Sequence, residues 1–433
     1  MKTTKKLIPV AVAAAMSAFS ASVHTAGFQL PENNASGMGN AFAGQAAAAE
    51  NASTVFWNPA GMTRLPGRQV SFALDALKPS AKFEDNGLSR SPLGLPLGPG
   101  GTNGGDAGDW AYLPAGYVSW QINPQWWAGL AVTVPFGLQV NHDPAFIGRF
   151  QSKRDQVKTI DINPNIAFKL SDAVSLGGGI SYQKLKVQLD RSTLLPGGVE
   201  GMSQTRVDDD KWGFNLGAMF TIGAGTRIGI TYRSNMDYDT TGTVLVGGLP
   251  PPNGTTVAGA AAPIKLPDTV SWAIAHPLNG QWELLGDITW TNWSTIKTVP
   301  LSTTTASLLG APGTVLDTFN FQFRDSYRVG VGANWKYRDD LMLKFGVSWD
   351  RSPVTDLFRT TFLPDNNRIG LGIGAKFQVS KQTTIDVGYM HLFVESADIN
   401  QQKGVGVAPF QGNVRGKYDD KLDALAAQFT YSF

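Results

Sequence analysis

From about Gln69 to Phe433 the chain keeps returning to one pattern, in which apolar and polar residues alternate and the apolar row ends in aromatics. In the stretch 341–350, Leu341, Leu343, Phe345, Val347 and Trp349 share one parity, and Met342, Lys344, Gly346, Ser348 and Asp350 share the other. The stretches 212–222, 369–379 and 424–433 repeat this arrangement. A period of two is that of a β-strand, so each row occupies one face of a sheet. The second row carries Gly and charge rather than core residues. Such a sheet fits lipid on its apolar side, a polar lumen on the other, and an aromatic girdle at each interface. A soluble sandwich or propeller leaves the aromatic caps unexplained.

The pattern predicts an all-β fold: a transmembrane antiparallel β-barrel of about fourteen strands. The candidates are 69–77, 110–122, 126–138, 157–170, 174–190, 210–222, 226–246, 264–278, 282–297, 319–337, 341–352, 366–379, 383–399 and 418–433. Short connections near 123–125, 171–173, 223–225, 279–281, 338–340 and 380–382 read as periplasmic turns. Longer ones near 78–109, 139–156, 191–209, 247–263, 298–318, 353–365 and 400–417 read as extracellular loops, as outer-membrane barrels require. Charged residues make up 16% of the chain, below the ~25% of soluble domains. No linker divides it, and a barrel grows by adding hairpins without a second core.

Two segments precede the barrel, which spans 69–433. Residues 1–25, with Lys2, Lys5 and Lys6 before a short apolar run and small residues, read as a secretory signal peptide. Residues 26–68 are rich in Ala and Gly and do not alternate. They read as an N-terminal hatch plugging the lumen. Within them Ala46–Glu50 suits a helical turn, and Asn58-Pro59-Ala60-Gly61 reads as a tight turn. The 36 Lys and Arg include three in the leader, which leaves 33 against 34 Asp and Glu. That is no basic field for nucleic acid. The absence of Cys removes thiol catalysis, disulfides and Cys-based metal sites.

Little in the chain reads as catalytic. There is no nucleotide-binding loop, no nucleophile elbow and no zinc-protease motif. Beyond the leader the only histidines are His142, His276 and His391, far apart in sequence. A lipase base at His142 is the one enzymatic alternative. Asp208-Asp209-Asp210 reads as a solvated junction before a calcium site. Two features bear on transport. Pro135-Phe136-Gly137 falls within the third strand, where Pro cannot donate to the ladder and Gly marks bends. Either the wall has a gap there or the strand ends at Val134. Arg191 follows the strong strand 174–190. It reads first as a loop-base arginine paired with Asp190 or another acid; facing the lumen, it would hold a ligand carboxylate.

Several stretches resemble the outer-membrane long-chain fatty-acid transporter (FadL/toluene-X) family. They are AGFQL at Ala26–Leu30, NPAG at Asn58–Gly61, LPDTVSWAIAHPLNGQWELLGDITWTNWS at Leu266–Ser294, FRDSYRVGVGANWKYRDDLMLKFGVSWDRSPV at Phe323–Val354, LPDNNR at Leu363–Arg368, and the terminal FTYSF. The resemblance implies a fourteen-stranded barrel of the Gram-negative outer membrane, inserted by the barrel-assembly machinery and acting as a monomer without ATP, metal or cofactor. It implies passive uptake of hydrophobic molecules, long-chain fatty acids first. It makes Asn58–Gly61 the hatch turn and Pro135–Gly137 a lateral-gate kink, and has the segment around Phe28 shift when ligand binds. Sideways exit suits an apolar cargo, which gains about 0.8 kcal/mol for each CH2 kept from water.

One departure bears on substrate. The family's carboxylate clamp, an Arg matching Arg191 and a Lys before the Phe323-Arg324-Asp325 motif, lacks its second cation here. The Lys position falls near Phe319, and 315–322 has no basic residue. Arg191, Phe28 and Phe319 are therefore the substrate-site candidates, and a single cation favours the alternative of aromatic or aliphatic hydrocarbons. The loop 191–209 implies a small capture groove. A general diffusion porin is the alternative from another class.

Overall fold

The computed structural model describes residues 27–433. The expected signal peptide lies outside the described residues. Fourteen antiparallel staves close into a barrel. Eight are single strands: β1 (Arg68–Asp85), β2 (Ala111–Gln121), β5 (Arg154–Lys169), β6 (Val174–Leu195), β7 (Val199–Ile222), β16 (Leu341–Asp350), β17 (Arg368–Gln378) and β20 (Asn413–Ser432). Six are interrupted and count twice. These are β3 and β4 (Trp126–Thr133, Gly137–Asn141), β8 and β9 (Thr226–Arg233, Met236–Leu249), and β10 and β11 (Gly254–Leu266, Thr269–Pro277). The others are β12 and β13 (Trp282–Thr291, Thr298–Thr303), β14 and β15 (Val315–Asn320, Ser326–Arg338), and β18 and β19 (Thr383–Val394, Ala397–Gln402). Closure is made by β1 against β20, paired from Gln69↔Ser432 to Asp85↔Gly416. A closed sheet leaves no edge for hydrocarbon to meet except where a stave is interrupted.

The alternation expected from sequence sets the two faces. Phe345, Val347 and Trp349 are exposed on the outside of β16, while Lys344 and Ser348 are buried inside. Aromatics ring both ends of the exposed band. Trp282 stacks on Trp335, and Trp126 meets Phe168, at the short-turn end; Tyr182 meets Trp212, and Trp110 stacks on Tyr112, at the long-loop end.

The strand ends differ from the sequence reading on the extracellular side. The stretch 191–209 is not a loop: β6 and β7 continue as one hairpin, paired up to Leu195↔Val199. β1 continues to Asp85, and β9 and β10 leave only the turn between Leu249 and Gly254. Beyond the membrane the outer face of a strand meets water, so the outward apolar row that marks a strand within lipid fades. The loop from which a small capture groove was expected is thus a tall hairpin of the barrel wall.

Residues 27–66 run inside the barrel. They form three single-turn helices, α1 (Ala35–Met38), α2 (Gln45–Ala48) and α3 (Thr54–Trp57), and a 3-10 turn at Pro59–Arg64. The lumen-facing glycines explain how they fit. A Cβ added at Gly346 would collide with the Asn40 carbonyl, one at Gly229 with that of Ala46, and one at Gly217 with the Asn58 side chain. The segment's polar groups are satisfied by the wall. Asn40 Nδ2 donates to the carbonyls of Ala333 and Phe345, both at 3.2 Å. Lys344, fully buried, donates to Glu50 at 2.5 Å and to the Ser36 carbonyl at 3.0 Å.

Candidate functional site

Above the plug the barrel holds an apolar cavity of about 660 Å³. Val187 and Leu189 of β6, Val207 of β7, Ile264 of β10 and a row of phenylalanines, Phe319, Phe321 and Phe323, line it. The alternate residues of β14 and the chain after it present these rings together: Phe319 stacks on Phe321 at 6.0 Å, and Phe321 meets Phe323 at 5.0 Å. Phe319 thus lies in the cavity wall. Phe28 forms the floor, packed edge-on against Trp293 at 4.8 Å and Phe136 at 6.1 Å. Gly27 is pressed against the Trp293 ring, with its backbone in the left-handed region (φ 66°), a place that suits only glycine.

A charged cluster lies beyond the outer end of the cavity. Arg191 near the top of β6 lines a second cavity that shares Leu301 with the first. Its guanidinium is ion-paired with Asp317 of β14. This is the loop-base pairing read from sequence, with Asp317 as the acid rather than Asp190. Sequence reasoning missed the other cation. Lys403, between β19 and β20, has its ammonium 4.0 Å from the Asp317 carboxylate and 5.6 Å from the centre of the Phe319 ring. The second cation therefore stands beside the position where the sequence showed none, supplied from 84 residues further along the chain. Only the folded loop brings it there; no local spacing marks it.

The third stave is interrupted where Pro135-Phe136-Gly137 falls. β2 pairs with β3 only over Gly116–Gln121, so its upper part, Ala111–Ala115, has no ladder partner on that side among the described residues. β4 has turned inward, and its residues Gly137–Val140 are buried. The backbone groups freed at the interruption are taken by the plug. Leu30 N–H donates to the Pro135 carbonyl at 2.8 Å, and Gly137 N–H donates to the Phe28 carbonyl at 2.9 Å. The Phe136 N–H is held by Thr159 Oγ1 at 2.9 Å. Below this point a larger cavity of about 1150 Å³ borders Pro135, Phe136 and Leu30, so Phe28 separates two spaces.

The NPAG turn lies at the base of the plug. Asn58 Oδ1 accepts from Ala60 N–H, and its Nδ2 donates to the carbonyls of Ala46 and of Ala218 on β7. Pro59, Ala60 and Gly61 are buried, and Gly61 lies against Thr54. The turn therefore ties plug to wall. The other sequence candidates do not converge on a site. His142 is buried against Phe146 and shares a hydrogen bond with the Tyr418 hydroxyl at 3.1 Å, away from the cavity. Asp208 pairs with Lys184 and Asp209 with Lys211, and no metal-binding group is found among the described residues.

A family model, outer membrane protein transport protein (OMPP1/FadL/TodX), matches residues 16–433. The chain belongs to this family. Family members are outer-membrane transporters of hydrophobic small molecules in Gram-negative bacteria, not enzymes. The long-chain fatty acid transport protein of Escherichia coli (strain K12) is 25% identical, with 98% of each chain covered. Among solved structures, a FadL homologue of Pseudomonas aeruginosa shares the fold with a TM-score of 0.84 at 24% identity, covering 94% of this chain and all of that one. The Ralstonia pickettii toluene transporter TbuX gives a TM-score of 0.62 at 15% identity, over 88% of this chain and 94% of its own.

Proposed function

We propose that this family member carries hydrophobic molecules passively from the outside into the membrane, with long-chain fatty acids as its first substrates. The observation that carries the reading is the apolar cavity with a cationic outer end, floored by Phe28, whose peptide group is bonded to the interrupted stave. A fatty acid would place its tail among Phe319, Phe321 and Val187 and its carboxylate towards Arg191 and Lys403. Displacing Phe28 would join the cavity to the space below, and cargo would leave sideways between β2 and the Pro135–Gly137 interruption. Such a route keeps an apolar chain out of water throughout. The plug from 27 to 66 would act as the hatch, with Asn58–Gly61 its anchored turn. The barrel would work as a monomer inserted by the assembly machinery, with Phe433 at its aromatic C-terminus.

Uptake of uncharged hydrocarbons is the second reading. It is favoured by Asp317, which already occupies Arg191. Binding of oleate and of toluene to the purified protein in detergent, with Arg191→Ala alongside, decides between them. Oleate binding weakened by Arg191→Ala is the expected result. Toluene binding indifferent to Arg191→Ala moves the assignment to hydrocarbons, and binding of neither overturns both in favour of a diffusion pore.

A further inference from the structure

The mouth of the apolar cavity holds an acid that an anion-capturing site does not need. Within ion-pair distance, two cations share one carboxylate: Asp317 is paired with Arg191 and has Lys403 at 4.0 Å. The Asp317 side chain is only 6% exposed, and it also accepts a hydrogen bond from Gln411 Nε2 at 3.3 Å. Gln411 and Lys403 belong to one loop. They close it on each other, since Gln411 N–H donates to the Lys403 carbonyl at 2.8 Å and Lys403 N–H to that of Gly412 at 2.9 Å. The remaining acids near Arg191 are differently engaged: Asp190 accepts from Gln188 at 2.7 Å, and Asp155 is buried on the neighbouring β5.

We propose that Asp317 is the specificity-determining residue of the entrance: its carboxylate stands where a substrate carboxylate would bind, and an anionic substrate displaces it from Arg191 onto Lys403. This rests on the uptake reading and deepens it. The exchange keeps every charge paired. Before binding, Asp317 sits on Arg191 with Lys403 beside it. Afterwards the substrate carboxylate sits on Arg191 and Asp317 on Lys403, so two cations face two anions. Burying an unpaired carboxylate in this apolar neighbourhood is costly, so Lys403 is the residue that makes the displacement possible. A neutral hydrophobe passes without touching the pair. An anionic one must win a competition with a resident acid, so affinity for anions is held down.

The test compares oleate with oleyl alcohol, which has the same chain without the charge, on the full-length purified barrel. Folding of each variant is checked by the shifted gel mobility of unheated barrels. Asp317→Asn should raise the affinity for oleate relative to oleyl alcohol by about tenfold, the scale of one close charge pair. Lys403→Gln should lower the same ratio by about as much. The conservative Asp317→Glu should return it towards the wild-type value. A ratio unchanged or lowered by Asp317→Asn, with oleyl alcohol still bound, overturns the displacement while leaving the uptake reading intact. Failure of the wild-type protein to bind either probe overturns both.

Discussion

Lys344 shows what a single buried charge does here. It lies wholly inside the wall of β16, and its ammonium joins Glu50 and Ser36 of the plug. Removing one partner of a buried pair leaves the other uncompensated, which costs about 3–5 kcal/mol. Lys376, 4.0 Å from Glu50, offsets part of that. Lys344→Met should therefore loosen the plug, read as steady ion current across planar bilayers where the wild type stays nearly silent. Gly346→Val acts on the same contact by bulk, because its side chain meets the Asn40 carbonyl; we expect lower yields of folded barrel or the same leak. At the mouth, burial alone would raise the Asp317 carboxyl, but Arg191 and Lys403 outweigh it and hold it at about 2. A carboxyl depressed below its unfolded value of about 3.9 contributes its stability above that value and loses it as pH falls towards the folded one. The clamp should thus hold from neutral pH to about 4 and open between there and about 2. Pepsin nicking near the exposed Phe410 follows this: it should rise over that window in the wild type and already be high at its upper end in Asp317→Asn.

At the scale of elements, the plug segment Phe28–Leu30, bridged at Gln29 to Phe136, and the interrupted third stave form one hydrogen-bonded unit. Saturating substrate should speed deuterium uptake at the amides of Leu30 and Gly137 together, while an amide in the middle of β20 stays protected. Independent exchange of the two amides would separate plug from wall. Within the lipid band the elements were legible in the sequence, because an apolar face and a lumen face demand different residues at each parity. Lys344 and Gly346 on β16 carried that signal. Outside the band the demand lapses, and the β6–β7 hairpin read as a loop. The interruption at Pro135–Gly137 was legible as a choice between a gap and a strand end, since Pro lacks the N–H a ladder needs. What no local pattern could show was the partner of the freed groups, since Phe28 and Leu30 lie more than a hundred residues away.

For the whole molecule, closure and plugging have separate causes. The wall closes through the β1–β20 ladder, whereas the plug is held by Asn40, Glu50 and Asn58 against inward groups of several staves. A variant lacking residues 27–66 should therefore still fold and shift on gels, yet conduct ions steadily. The charged mouth was only half legible. Arg191 stood out beside a strong strand, but Asp317 and Lys403 meet it through loops that fold over the opening. Folding the plug's edge into the wall has a mechanical consequence. If Phe28–Leu30 moves away, the Pro135 carbonyl and the Gly137 amide lose their partners, and each one left buried without a replacement costs about 1–3 kcal/mol. An ajar wall is thus under tension unless cargo holds it so. On the uptake route proposed above, the barrel would need no separate door and no signal to shut; it would behave as a spring-loaded flap that the passenger itself keeps open.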